Sequence, residues 1–154
     1  MFGYPRVHHL YREQLVPRPL DEVFEFFAEA PNLERLTPPW LGFGLLTPTP
    51  VQMAKGTLIE YRLHLHRIPL RWISRIELWE PGRAFVDVQV KGPYRLWHHR
   101  HEFQPAGSGT LVRDHVTYGL PLGPLGELAH SLLVERDLAR IFAFRQQAVA
   151  RFLG

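Results

Sequence analysis

No cysteine occurs among the 154 residues. Disulfides, a thiol nucleophile and any cysteine-ligated zinc or iron–sulfur centre are therefore excluded. Lysine is nearly missing as well: Lys55 and Lys91 are the two present, all other cations being arginine, and Asn32 is the single asparagine. That bias suits a GC-rich genome or a hot habitat and does not separate the two. No run of about eighteen apolar residues occurs and no charged-then-apolar leader opens the chain, so membrane insertion and secretion are not expected and a cytoplasmic location is. Like charges form no block. The formal net charge of +3 is spread along the chain, whereas a nucleic-acid surface needs a clustered basic stripe in a recognisable module, so no nucleic-acid partner is expected. Nucleophile-elbow, P-loop and dinucleotide signatures are missing too, and Gly107-Ser108-Gly109 reads as a turn. The length fits one domain, 1–154, large enough to bury a core or to enclose a pocket.

The unusual chemistry that is present concentrates in GPYRLWHHRHEF, Gly92 to Phe103. After the Gly92-Pro93 turn signal the residues alternate with the two-residue period of a strand. Trp97, His99, His101 and Phe103 share one face; Leu96, His98, Arg100 and Glu102 share the other. A dry core face would be aliphatic, and a solvent face would not spend a Trp and a Phe. The first face reads either as the lining of a cavity or as two hydrogen-bonded core histidines beside two ordinary aromatics.

In chain order, Val7 to Val16 alternates as a first strand and is stopped by Pro17 and Pro19. Pro19 opens a helix with Asp21 and Glu22 in its first turn, where carboxylates favour the dipole. Leu20, Val23, Phe24 and Phe27 form its stripe, and a second short helix or turn covers Asn32 to Leu36. LTPPWLGFGLLTPTP, Leu36 to Pro50, carries too many prolines for a helix and too many apolar residues for a free linker. It reads as an ordered lip holding Trp40, followed by a short edge strand near Phe43 to Leu46.

From Gly56 the pattern is all β. Thr57 to His66 alternates, with Tyr61 on the face of Ile59 and Leu63, and Ile68-Pro69 marks a tight connection. Arg71 to Trp79 puts Trp72, Ser74, Ile76 and Leu78 inward. Phe85 to Val90 sets Phe85, Asp87 and Gln89 against Val86, Val88 and Val90, and its phase is the most ambiguous of the set. Thr110 to Leu120 carries Val112, Asp114, Val116 and Tyr118 in phase. Short hairpins between successive strands imply an antiparallel meander.

The chain ends in a helix of nearly thirty residues, with Pro124 at its natural first position. It carries two apolar phases. Leu125, Leu128, Ala129 and Leu132 share one side, while Val134, Leu138, Ile141, Phe142, Ala148, Val149 and Phe152 share another. One straight helix cannot aim both at a single surface, so a bend or break near Leu133 is expected, or first turns that contact something else; those turns are expected to help gate a pocket mouth. Arg145 falls at the centre of the second stripe. Either it points inward to Asp87 or Asp114, with Gln89, His99 or His101 completing a network, or it snorkels to water at the helix edge.

A single antiparallel sheet needs a cover, and the last helix is the one long amphipathic element available. The expected fold is therefore α+β, with a curved sheet wrapped around the C-terminal helix and a cavity between them. This layout resembles the helix-grip fold of the START and birch-pollen-allergen superfamily, SRPBCC. The segments NLERLTPPWLGF, GTLIEYRL, PLRWISRIELWEPGRAFVDVQVKGPYRLWHHRHEF, GTLVRDHVTYGLP and IFAFR are similar to its polyketide cyclase/dehydrase-like bacterial branch. The resemblance implies a ligand cavity and leaves the ligand open.

Three functions fit. A non-catalytic carrier or sensor would hold a lipid, quinone or polyketide-like ring, with Tyr61, Trp72, Ser74, Phe85, Gln89, Trp97, His99, His101 and Tyr118 around it and Trp40 near the opening. A cyclase, aromatase or dehydratase would move a proton with His99 or His101, oriented by Asp114 or Asp87. A regulatory module with an incidental pocket is the third. His99, His101 and Asp114 also offer three zinc ligands, but the resemblance is to a family that generally works without metal, so neither metal nor cofactor is expected.

Overall fold

A computed structural model describes residues 6–154. The chain begins with β1 (His8–Val16), α1 (Leu20–Ala28), α2 (Asn32–Leu36), a 3₁₀ turn at Pro39–Leu41 and the two-residue strand β2 (Gly44–Leu45). Five long strands follow: β3 (Leu58–Leu65), β4 (Ile68–Glu80), β5 (Ala84–Lys91), β6 (Leu96–Ala106) and β7 (Gly109–Gly119). The C-terminal helical segment comprises α3 (Gly123–Ala129), a π-helical turn (His130–Val134) and α4 (Glu135–Leu153). All seven strands form one antiparallel sheet in the order β1-β7-β6-β5-β4-β3-β2. This is the helix-grip architecture.

Alternation fixes which residues meet the helix. Phe103, Val112 and Val116 turn from β6 and β7 toward Phe142, Ala148 and Val149 of α4, and all are buried. At one end of the sheet, Val23, Phe24 and Phe27 of α1 join Phe85, Phe103 and Leu153 in a dry cluster. At the other, Val116, Tyr118, Leu138 and Phe142 pack together, and Leu41, Leu63 and Trp72 form a third group. The space between these clusters is left for a cavity.

The β3–β4 turn lies two residues before its expected place. Ile68 pairs with Leu65, so the loop is His66-Arg67, and Ile68-Pro69 begins the strand. Both loop residues have positive φ, 49° and 70°, as a tight primed hairpin turn requires. Neither is the Gly or Asn that normally advertises such a turn, so Ile68-Pro69 is the stronger marker in the sequence.

The two helix phases are reconciled at the π-helical turn His130–Val134. Its wider winding rotates α4 relative to α3, the role expected of a break near Leu133. Gly126 in α3 is buried, and its lack of a side chain is required because a Cβ there would strike the Pro121 carbonyl. The first turns do not gate the cavity. They lie at the β1/β7 edge, held by a 2.9 Å contact between His8 Nε2 and Glu127 Oε2 and a 2.8 Å bond between Tyr118 and His130. Among the described residues, no helix is long and apolar enough to cross a membrane.

Candidate functional site

Between the concave sheet face and α4 lies a cavity of about 180 Å³. Tyr61, Trp72, Phe85 and Trp97 from the sheet and Tyr94 from the β5–β6 turn supply its aromatic wall, and Leu138, Ile141 and Phe142 close it from α4. Trp72 meets Trp97 edge-on, with centroids 5.3 Å apart, and Tyr61 lies parallel to Trp72 at 6.0 Å. Leu36, Thr37, Leu41 and Phe43 from the proline-rich segment, with Met53 beyond it, line the remaining side.

The buried ionisable groups on this lining, Asp87, His99 and His101, are gathered into one network, while Ser74 accepts from the Trp72 indole. Strand register explains why: His99 pairs with Asp87 on β5, and His101 pairs with Phe85 on β5 and Asp114 on β7. His101 Nε2 lies 2.6 Å from Asp87 Oδ2, and His99 Nε2 lies 2.8 Å from Asp114 Oδ1. The two imidazoles stack at 3.7 Å between centroids, and Phe85 stacks on the other side of His101 at 4.0 Å. Arg145 reaches in from α4. Its Nη2 is 4.0 Å from Asp114 Oδ1, a charge pair without a hydrogen bond, and its guanidinium lies over the Phe27 ring.

The histidines are pushed apart electrically. Burial, reinforced by the neighbouring His101, lowers the His99 pKa to about 4 despite its two carboxylate neighbours, so His99 is neutral near pH 7. Burial also opposes charge on His101, but Asp114 and Asp87 outweigh it and raise the pKa. Asp114 is held well below the usual carboxylate range: Arg145, His101 and His99 overcome its burial. Asp87 is lowered too, as His101, His99 and Arg145 overcome the same penalty. His101 Nδ1 is 3.4 Å from Asp114 Oδ1 but has no hydrogen-bond partner. Attraction there is charge with charge. Arg145 and His101, whose protonated form the two carboxylates favour, thus oppose Asp87 and Asp114 at the cavity floor.

A family profile described as polyketide cyclase / dehydrase and lipid transport matches residues 16–144. The chain belongs to that family. No functionally curated protein is detectably similar in sequence. Among solved structures, the Zhui aromatase/cyclase from Streptomyces sp. R1128 superimposes with a TM-score of 0.77 at 15% identity, covering 96% of this chain and 94% of that one. Protein TTHA0849 from Thermus thermophilus gives 0.67 at 19% identity, covering 96% and 100%. Ginseng major latex-like protein 151 from Panax ginseng gives 0.69 at 11% identity, covering 96% and 98%. At such identities these likenesses establish the fold.

Within this family member the cavity receives Tyr61, Trp72, Ser74, Phe85, Asp87, Trp97, His99, His101 and Arg145 of the residues anticipated from sequence, whereas Asp114 stands behind His99. Three others lie elsewhere. Gln89 does not line the cavity: its side-chain amide bonds both the N–H and the carbonyl of Tyr94, at 2.9 and 2.6 Å, and clamps the β5–β6 turn. Tyr118 stands behind Tyr94 and Trp97, with its hydroxyl on His130. Trp40 is half exposed, packed edge-on to Phe144 under the Arg140 guanidinium. Tyr94 escapes a reading by periodicity because it sits in the turn before the alternation begins; the clamp by Gln89 turns it inward.

Among the described residues, two clusters bring metal-ligating atoms within 4.8 Å of one another: Asp87, His99 and His101, and separately His8, Glu127 and His130. In the first, an ion would have to displace the proton that His101 shares with Asp87. In the second, the His8 and His130 rings stack at 3.6 Å and 15°. Lone pairs of parallel rings do not converge on one ion as tetrahedral coordination requires.

Proposed function

We propose that the protein binds a hydrophobic small molecule built on one or two fused rings, with a polar oxygen at one end, as a carrier or sensor. The observation that carries this reading is a cavity walled by aromatic and aliphatic side chains with all its buried charge collected at one floor. Flat walls of Trp72, Trp97 and Tyr61 suit a ring. The volume of about 180 Å³ is below the roughly 300 Å³ at which drug-sized sites begin, which favours a small quinone or polyketide-like ring over a sterol or long acyl chain. Neutral His99 and charged His101 offer that oxygen both an acceptor and a positive field. The family, whose description includes lipid transport, and the shared fold with an aromatase/cyclase support it.

The test is a thermal-shift screen of naphthoquinones, flavonoid-like rings, fatty acids and sterols, because a ligand that binds the folded state raises Tm by linkage. Small ring compounds should raise Tm in proportion to the logarithm of their concentration. A response to fatty acids and sterols alone, or to nothing, overturns the proposal.

The adjacent histidines also favour a second reading, a dehydrating cyclase. A base and an acid side by side at one cavity floor fit general acid–base work. Neutral His99 would take the proton from the carbon next to a ketone. The C–H electron pair becomes a C=C bond, and a β-hydroxyl leaves as water with a proton from His101. A β-hydroxyketone of matching size should then lose water at a rate that falls at least a hundredfold in His99→Gln while binding persists; an unchanged rate sinks this reading.

A further inference from the structure

The segment from Pro121 to Val134 is inside-out for a surface helix. Its ionisable groups, Glu127 and His130, turn inward to His8 and Tyr118. Leu122, Leu125, Leu128, Leu132 and Leu133 face out, with exposures of 76, 69, 56, 71 and 42%. Pro121, Gly123, Pro124, Ala129 and Ser131 fill the surface between them, so no charge appears on it. An ordinary surface helix does the reverse. We propose that this leucine face is a membrane-docking surface that rests in the interface of an anionic bilayer.

Area and charge select that occupant over a second copy of the chain. The five leucines expose about three side chains' worth of area, roughly 500 Å², the size of the largest, often functional, patch on a monomer and short of the roughly 800 Å² per partner of a stable dimer. The face is a convex helix rather than a groove, so it offers no pocket to a peptide anchor. Cations flank both ends. Exposed Arg136 and Arg140 follow on α4, and exposed Arg95, its Nη2 on the Arg6 carbonyl, is joined through its backbone to Gly119 where the segment begins. One exposed carboxylate, Glu135, stands among them. Arg140 also covers half-exposed Trp40, an aromatic of the kind that settles at headgroup level. Leucines dipping below the headgroups with arginines above them is the arrangement an interfacial helix uses. The inference does not depend on what fills the cavity.

Co-sedimentation of the full chain with phosphatidylcholine vesicles, with and without phosphatidylglycerol, tests it. Binding should appear on the phosphatidylglycerol vesicles, weaken with added salt, and fall at least tenfold in the triple variant Leu125→Ser, Leu128→Ser, Leu132→Ser. Those positions are exposed, so the variant should keep the wild-type Tm. Arg136→Gln should reduce binding less, and on anionic vesicles alone. No wild-type binding, or undiminished binding by the triple variant, overturns the proposal. So does a wild-type dimer in analytical ultracentrifugation that the triple variant turns into a monomer.

Discussion

His99 and His101 lie ring on ring, 3.7 Å between centroids, yet their ionisation is pushed in opposite directions. Two imidazolium ions could not sit so close in a buried site. One neutral and one charged ring can, and the carboxylate register decides which. His101 lies near Asp87 and Asp114 together, whereas His99 holds Asp114 alone at hydrogen-bonding distance.

Proton-detected titration of the imidazoles should therefore show His99 neutral until about pH 4 and His101 still protonated above its ordinary value of about 6.5. The stability consequence follows from linkage. A raised folded-state pKa makes the His101 contribution fully present below about pH 6.5, and it is lost as pH rises through the folded value. Urea unfolding should show falling stability across that window, a slope that His101→Gln removes.

Arg145→Met should cost about 3 kcal/mol, because it leaves the Asp114 carboxylate buried without its cation. In a double-mutant cycle, Asp114→Asn should recover more of this than Asp87→Asn does. Equal penalties in all three backgrounds would mean that Arg145 contributes through packing on Phe27.

Tyr118→Phe should cost about 1 kcal/mol, by leaving His130 Nε2 without its hydroxyl partner, and should not change ring binding, since Tyr118 stands behind the cavity wall. A large loss of affinity with little loss of stability would place Tyr118 in the site after all.

Gln89→Ala should release the β5–β6 turn, cost about 1 to 2 kcal/mol and raise amide exchange at Tyr94. Ring affinity should fall with it, since Tyr94 would lose its fixed orientation. Unchanged exchange at Tyr94 would contradict the clamp.

Much of this is legible without coordinates. Strict alternation through Trp97, His99, His101 and Phe103 identifies the face that meets the helix, and the phase change near Leu133 anticipates the π-helical turn. Arg145 at the centre of an apolar stripe leaves two placements open, inward to a carboxylate or snorkelling to water, and the structure turns it inward to the cavity floor. Pairings that depend on register are not legible: whether Asp87 or Asp114 meets a given histidine depends on which residues of β5 and β7 lie beside β6. Gln89 shares the phase of Phe85 and Asp87, but β4 and β5 pair with register shifts at Ile73/Ser74 and Ile76/Leu78. Its side chain is also taken by a turn, which no periodicity reports. The first leucine stripe of the last helix is visible as a stripe. Its outward direction is not, because sequence patterning assumes that apolar faces turn in.

In the proposed complex a ring compound occupies the cavity with its polar oxygen at the His99/His101 floor. Intermolecular NOEs on the complex with the tightest-binding ring from the thermal-shift screen test it most directly. Ring protons should show cross-peaks to Trp72, Trp97 and Phe142, with those nearest the oxygen reaching the His99 imidazole. Cross-peaks to side chains of the convex face, or a saturated complex with none to these four residues, would contradict the account.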